Sequence, residues 1–227
     1  MLFSVMLAGF IGLNLYLTSQ PPIQHLEDFK PNVVTKIYSA DEEVIKTFTA
    51  YKFEKVDIKD VPDNIKNAIV ATEDKNFYNH HGYDPIGVAL SMVVNLTTGG
   101  LTQGASTITQ QLLKNNVFTN WTNESTWLER FTRKIQEQYL AIELTKTMSK
   151  DEVLLNYMNT INLGQNTLGV QAASLRYFNK PVNSLTLSEC AVIAGITQNP
   201  SRFNPISHPD ENAKRREKVL NNMKDQG

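Results

Sequence analysis

The stretch from residue 126 to residue 147 is the part of this sequence that most limits how the chain can fold. Its apolar residues recur at spacings of three and four: Phe131, Ile135, Tyr139 and Ile142. That period places them on one face of an α-helix. Shorter helices are predicted at 150–160, 168–178, 187–197 and 209–224. These segments predict a mainly α-helical domain. A chain of 227 residues is long enough to bury a substantial core.

Residues 25–60 are predicted to form a linker and a small β region. Prolines interrupt its first part, and residues 33–58 are rich in β-branched and aromatic side chains around a polar break, which is typical of a hairpin. From Asp63 the pattern becomes helical, and Asp63 is predicted to cap a helix that continues to residue 80. Two more helices are predicted after it, over 85–97 and 107–118.

The first 24 residues are mostly apolar and contain no charged side chain. A stretch of this length can cross the hydrocarbon core of a bilayer, roughly 30 Å thick, as a helix. A cleaved signal peptide is the alternative, but it would begin with basic residues and end at a cleavage site of small residues. Neither feature is found, so residues 1–24 are predicted to be an uncleaved transmembrane anchor.

The charge of the chain argues against nucleic acid as a partner. The 22 Lys and Arg residues nearly balance the 23 Asp and Glu residues, giving a net charge of -1. A nucleic-acid-binding domain usually carries a basic stripe instead. Cys190 is the only cysteine, which excludes an internal disulfide.

Glu73 is the first candidate for chemistry. It follows the apolar run "AIVAT", so its carboxylate can lie at the edge of a partly desolvated cleft, where a carboxyl group suits general acid or base catalysis. A solvated carboxylate near a helix end is the competing interpretation. His80 and His81 follow, but adjacent helical residues face different directions, and no HExxH pattern or Cys/His cluster accompanies them. A zinc site is therefore not expected.

A glycine-rich loop leads into a polar helix start at residues 103–115. Its hydroxyl and amide side chains are Ser106, Thr107, Thr109, Gln110 and Gln111. A helix start of this kind suits a phosphate or sugar hydroxyls. The spacings of a P-loop and of a nucleophile elbow are both absent. A polar loop with a capping serine remains the simpler alternative.

The third candidate cluster is Arg133, Lys134 and Glu137. On a helix these residues are three and four positions apart, so their charged ends can meet. One interpretation is an exposed ion pair, worth only about 0.3–0.5 kcal/mol. The other is a basic site for a phosphorylated ligand, with a carboxylate that positions the ligand or holds a divalent metal.

Five segments in this order resemble the motifs of glycosyltransferase family 51, the peptidoglycan glycosyltransferase domains of class A penicillin-binding proteins and monofunctional transglycosylases. The segments are "EDKNFYNHHG" (73–82), "GASTITQQLLKN" (104–115), "RKIQE" (133–137), "KDEVLLNYMN" (150–159) and "GQNTLGVQAASLRYFNK" (164–180). The resemblance covers roughly residues 50 to 220. The fourth motif departs from the family pattern, because Leu155 stands where a glutamate is common.

The resemblance implies an enzyme that polymerises lipid II into glycan strands with inversion and release of undecaprenyl diphosphate. Glu73 would be the general base that takes the proton of the acceptor hydroxyl, and Glu137 would be the second catalytic glutamate, which positions substrate or holds Mg²⁺ or Mn²⁺. The implied substrate-binding residues are Lys114, Ser106, Thr107, Gln110, Gln111, Arg133, Lys134 and Asn159. The implied supporting residues are Asp74, Phe77, His80 and Gly82.

The resemblance also implies a lysozyme-like, two-lobed helical domain with a small β-hairpin region and an N-terminal transmembrane helix. Residues 61–227 would be the glycosyltransferase domain, held on the extracytoplasmic face of the cell membrane by one span. Residues 83–101 would form either a face that dips into the membrane or a core helix. The SxxK and KTG elements of a transpeptidase domain are not found, so penicillin binding is not predicted for this chain. The segment "NPSRFNPISHPDENAKRREKVLNNM" (199–223) resembles the one that leads into such a domain, which favours a truncated class A protein over a complete monofunctional enzyme.

The predicted partners are lipid II, the growing glycan strand, membrane lipid and proteins of cell-wall synthesis and division. Two alternatives stay open on the residues alone. A lysozyme-like lytic transglycosylase would use the same glutamate as a general acid. An inactive, membrane-tethered scaffold for wall assembly is the other.

Overall fold

The computed structural model describes residues 35–48, 52–99, 104–118 and 121–227, together with Gly12 and Leu15. The protein is mainly helical, as predicted. Eight α-helices lie within these ranges: α1 (Asp63–Glu73), α2 (Pro85–Thr98), α3 (Ile108–Asn116), α4 (Trp127–Thr147), α5 (Lys150–Thr160), α6 (Val170–Phe178), α7 (Leu187–Ile196) and α8 (Pro209–Asp225).

Four of these helices begin with a capping box, which explains why their starts were readable from the sequence. In each, a Ser or Thr hydroxyl accepts from the backbone N–H three residues on, and the Gln or Glu at that position bonds back to the capping residue. The pairs are Thr107 with Gln110, Thr126 with Glu129, Ser149 with Glu152 and Thr186 with Glu189.

The helix predicted to run from Asp63 to residue 80 ends earlier, at Glu73. Pro62 is its N-cap, and Asp63 is its first helical residue rather than the cap. The backbone leaves the helix at Asp74, with φ -161° and ψ 73°. There the Asp74 carboxylate accepts hydrogen bonds from the backbone N–H of Ile108 and from His80. Because these bonds hold the Asp74 carboxylate, the backbone does not continue as a helix, and Glu73 is the last helical residue.

The predicted β region contains one hairpin. Strands β1 (Thr35–Tyr38) and β2 (Val44–Phe48) pair antiparallel, with Thr35 opposite Phe48. A second, very short pair joins distant parts of the chain, because β3 (Lys52–Phe53) runs parallel to β4 (Thr167–Leu168). This pair ties the segment after the hairpin to the start of α6.

Two helix groups form the core. Helix α1 packs against α7 and α8, while α3 packs against α4 and α5. The largest side chains with almost no solvent exposure come from both groups: Ile65, Ile69, Ile108, Leu112, Leu113, Leu154, Tyr157, Met158, Ile193 and Ile196. The hydrogen bonds of Glu73 to Gln111 and of Asp74 to the N–H of Ile108 connect the two groups, and they fix the C-terminal end of α1 relative to α3.

Helix α2 is an exception to this packing, because Ser91 is its one buried residue. Its large apolar side chains face outwards: Ile86, Leu90, Met92, Val93 and Leu96, the last 82% exposed. No helix in the described ranges is long and apolar enough to cross a membrane. The predicted anchor, residues 1–24, lies outside those ranges except for Gly12 and Leu15, and it stays a prediction.

Gly82 offers a test of the packing between the first motif and α4. It has a φ of +82°, and a Cβ placed on it would clash with the backbone carbonyl of Ala141. We expect Gly82→Ala to lower the free energy of unfolding by about 2–4 kcal/mol, measured by urea denaturation. Gly104→Ala is the matched control, because a Cβ at Gly104 would meet no atom within 4 Å. Equal stability of the two variants would contradict this packing.

Candidate active site

Glu73 lies at the C-terminal end of α1, with its carboxylate held from two sides. Gln111 Nε2 donates to Oε2 at 2.9 Å, and Thr197 Oγ1 lies 2.6 Å from Oε1. The side chain is half-buried. A carboxylate that is oriented by fixed donors and still reaches solvent has the geometry required of a general base.

Tyr157 extends this arrangement into the core. Its hydroxyl donates to Gln111 Oε1 at 3.1 Å, which leaves the Gln111 amide nitrogen facing Glu73. Burial raises the pKa of Tyr157 well above its ordinary value, and the nearby carboxylates of Glu73 and Asp74 act in the same direction. The hydroxyl therefore keeps its proton, and the orientation of the Gln111 amide is set.

Asp74 connects the first motif to α3. Its buried carboxylate has both oxygens 3.0 Å from His80 Nε2 and accepts from the N–H of Ile108 at 3.0 Å. A negative charge at a helix N-terminus is stabilising. His81, by contrast, points to solvent. Asp74 and His80 therefore hold the start of α3 in place, and their supporting role in the reaction stays a prediction.

Two cations lie close to these carboxylates. Burial lowers the pKa of Arg215, and the charge of Glu73 acts in the opposite direction. Burial also lowers the pKa of Lys150, with Asp74 opposing it. Arg215 Nε and Lys150 Nζ have no hydrogen-bond partner within the described part of the chain. Lys150 Nζ instead lies 4.4 Å from the centre of the Phe77 ring.

The second cluster is built on one turn of α4. Glu137 is fully buried, with 0% of its side chain exposed, and each of its oxygens has a cationic partner. Arg133 Nη1 donates to Oε1, and Lys134 Nζ donates to Oε2 at 2.7 Å. Glu124 holds the other side of Arg133, with Oε1 2.6 Å from Nε. This is a buried charge network rather than the exposed ion pair considered from the sequence.

Lys134 and Lys114 bring positive charge next to the polar helix start. Lys134 Nζ donates to Ser106 Oγ at 2.9 Å, while its side chain stays 40% exposed. Lys114, near the C-terminal end of α3, places Nζ 3.7 Å from the centre of the Trp121 ring. Burial lowers the pKa of Lys114, and the neighbouring charge of Lys134 lowers it further. The two lysines therefore form one positive surface.

Three of the predicted substrate-binding residues have their polar atoms bonded inside the protein. Thr107 and Gln110 are almost fully buried and hydrogen-bond each other in the capping box of α3. Asn159 is also buried, and its amide bonds the backbone N–H and carbonyl of Val56 at 2.9 Å and 3.0 Å. These three side chains hold the framework, because their polar atoms are used inside the protein. Gln111, Ser106, Lys114 and Lys134 stay accessible.

The predicted divalent cation does not fit the donors around Glu137. Both oxygens of that carboxylate are taken by Arg133 and Lys134, which would repel a metal ion. In the described part of the chain, no group of three or more His, Cys, Asp or Glu side chains could hold one. The Glu137 carboxylate therefore serves its two cationic partners.

Three residues of this site were not predicted from the sequence: Thr197, Arg215 and Glu124. Thr197 and Arg215 lie more than 120 positions from Glu73, so no local spacing could connect them to it. Glu124 lies in the link before α4, nine positions from Arg133. A separate polar cavity of about 370 Å³ lies between residues 162–166 and 200–207, and none of the candidate residues lines it.

Comparison with known proteins points to one family. The family model described as Transglycosylase matches residues 41–224. Penicillin-binding protein 1A of Neisseria flavescens is 40% identical over 222 residues, covering 96% of this chain and 27% of that protein. Penicillin-binding protein 1A of Escherichia coli (strain K12) is 42% identical over 222 residues, covering 97% of this chain and 25% of that protein. The chain thus spans about a quarter of the length of these relatives.

A crystal structure of Penicillin-Binding Protein 1A from Haemophilus influenzae also matches. It is 25% identical, with a TM-score of 0.46, and the match covers 86% of this chain and 18% of the other.

Proposed function

Because the chain belongs to the transglycosylase family, and so is a peptidoglycan glycosyltransferase domain of cell-wall synthesis, we propose that it polymerises lipid II at the cleft beside Glu73. The observation that carries the proposal is the placement of two chemical groups by one helix. Helix α3 presents Gln111 to the Glu73 carboxylate and Lys114 to the positive surface around Lys134. A base and a cationic site are what transfer from a pyrophosphate donor requires.

In the proposed reaction Glu73 takes the proton from a sugar hydroxyl of the acceptor. As that O–H bond breaks, the oxygen forms a bond to the anomeric carbon of the donor. The bond from that carbon to the pyrophosphate oxygen breaks on the opposite face, so the configuration inverts. One displacement needs one base and no covalent sugar–enzyme intermediate.

The departing pyrophosphate gains negative charge, and Lys114 and Lys134 are the accessible cations that would stabilise it. Arg133 contributes less directly, because Glu124 and Glu137 already engage its guanidinium. Glu137 holds the Arg133 and Lys134 side chains in position. A divalent ion, if the reaction uses one, would be bound by the pyrophosphate oxygens rather than by Glu137.

The lysozyme-like, two-lobed arrangement and the membrane location belong to the same proposal. The apolar face of α2 would turn towards the bilayer that holds the lipid tail of the substrate, on the extracytoplasmic side. Residues 1–24 would supply a single span. The growing glycan strand and other proteins of wall synthesis and division are the proposed partners.

The function is tested by incubating the purified chain with labelled lipid II and Mg²⁺, with a parallel reaction containing a chelator. We expect glycan polymer and free undecaprenyl diphosphate. Release of fragments from mature peptidoglycan, without polymer, would establish the lytic alternative. If a folded protein gives neither polymer nor fragments, the result favours the scaffold alternative.

The membrane-facing role of α2 has its own test. An environment-sensitive dye on Leu96→Cys is expected to shift its emission to the blue when the protein is reconstituted in phosphatidylglycerol vesicles, because the side chain enters the apolar region. The native Cys190 will not compete for the dye, since it is buried and burial raises its pKa to about 11. Ile206→Cys is the matched control, being exposed and outside α2. Identical spectra for the two labelled sites would count against the proposal.

A further inference from the structure

Thr197 is the first residue after α7, and it keeps helical backbone angles, with φ -52° and ψ -40°. Its hydroxyl oxygen has two oxygen neighbours at hydrogen-bond distance. Glu73 Oε1 lies at 2.6 Å, and the backbone carbonyl oxygen of Ala194 lies at 2.7 Å. Both neighbours are acceptors when Glu73 is ionised, yet a hydroxyl has only one hydrogen to donate.

The direction of that single hydrogen depends on the state of Glu73. When the carboxylate is ionised, the charge-assisted bond from Thr197 to Oε1 is the stronger choice. When Glu73 holds a proton, Thr197 can turn its hydrogen to the carbonyl of Ala194, and its oxygen can then accept from the carboxylic acid. Only hydrogens move between the two arrangements, so Glu73 Oε1 and the Thr197 hydroxyl stay bonded to each other in both states.

The other oxygen of Glu73 lacks this freedom. Gln111 Nε2 donates to Oε2, and its amide is kept in that orientation by the Tyr157 hydroxyl bonded to Oε1 of the same amide. Arg215, on α8, is a charged group whose charge interacts with the carboxylate, and Tyr157 lies near it on α5. Neither the Gln111 amide nitrogen nor the Arg215 guanidinium can become an acceptor for Glu73 without movement of heavy atoms, and the Tyr157 hydroxyl is bonded to Gln111 rather than to Glu73. Thr197 is the partner that can follow a proton on Glu73.

We propose that Thr197 is a positioning residue of the transferase reaction, whose hydroxyl hydrogen bonds Glu73 before proton transfer and the Ala194 carbonyl after it. This inference rests on the proposed function, because it assumes that Glu73 is the general base. In the proposed role Thr197 contacts Glu73 and the Ala194 carbonyl, and it touches neither the sugar nor the pyrophosphate. It keeps the carboxylate oriented in both protonation states.

Thr197→Val tests the proposal, because valine keeps the shape and removes the hydroxyl. With labelled lipid II as substrate, we expect kcat to fall about tenfold while KM changes less than about twofold. Thr197→Ser should restore the rate. If valine impairs folding, Thr197→Ala serves for the same comparison.

Thr145→Val is the matched control. Its hydroxyl donates at 3.0 Å to the carbonyl of Ile142, three residues earlier, as Thr197 does to Ala194, but it has no carboxylate partner. If Thr145→Val lowers kcat as much as Thr197→Val does, the Thr197 hydroxyl serves only the helix end. The same conclusion follows if Thr197→Ser fails to restore kcat. A wild-type kcat in Thr197→Val would overturn the role of Thr197 while the polymerase function stands. A wild-type chain that makes no polymer would overturn both.

Discussion

Replacing Glu73 with glutamine is expected to slow polymerisation of labelled lipid II by about a thousandfold, within the range lost when a general base is removed. Glutamine matches the shape of glutamate and can still bond Thr197 and Gln111, so the fold should be retained. The amide cannot take the proton of the attacking hydroxyl. Product formation, followed by gel separation of the glycan polymer, measures the loss.

Glu143→Gln is the control for this variant. Glu143 also lies on a helix, but its side chain is 41% exposed, and Lys146 is its one ionic partner among the residues that the structure describes. We expect its polymerisation rate to equal that of the wild type. Substantial polymer from Glu73→Gln, at a wild-type far-ultraviolet circular dichroism spectrum, would remove Glu73 from the role of base.

Replacing Glu137 with glutamine is expected to lower the free energy of unfolding by about 3 kcal/mol, because removing one member of a buried ionic network leaves its partners uncompensated. Arg133 would keep Glu124, and Lys134 would keep Ser106, but the negative charge between them would be lost. The two cations would repel each other and move apart. Polymerisation should fall as well, because Lys134 would no longer be held beside Lys114.

Urea denaturation measures the stability change, and Glu143→Gln again provides the comparison. Its exposed ion pair should contribute less than about 1 kcal/mol. If Glu137→Gln were as stable as Glu143→Gln, the network would not stabilise the fold in the way the burial of Glu137 indicates. If it lost stability but kept full activity, the proposed positioning of Lys134 would be wrong.

The helices could be predicted largely from local information. The capping residues Thr126 and Thr186 are followed three positions later by glutamates, and apolar residues then recur at helical spacing. Such patterns act within one or two turns, so they are visible in a sequence. The early end of α1 was not visible, because it depends on bonds from Asp74 to residues beyond the helix.

The candidate site was predictable only in part. The motifs identified Glu73, Glu137 and the cations, but they indicate residue type and not burial. Thr107, Gln110 and Asn159 were therefore assigned to substrate, although packing turns them inwards. Thr197 was missed for the opposite reason: it belongs to none of the five motifs, and folding alone brings it to Glu73 from 124 positions away.

Helix α3 has only nine residues, yet it contacts both chemical ends of the proposed reaction. Gln111 and Lys114 are one helical turn apart, a rise of about 4.5 Å along the axis. The spacing between Gln111, which orients the base Glu73, and the proposed leaving-group cation Lys114 is thus set within a single helix. In the proposed reaction that spacing would stay the same at every transfer, whatever the length of the glycan strand.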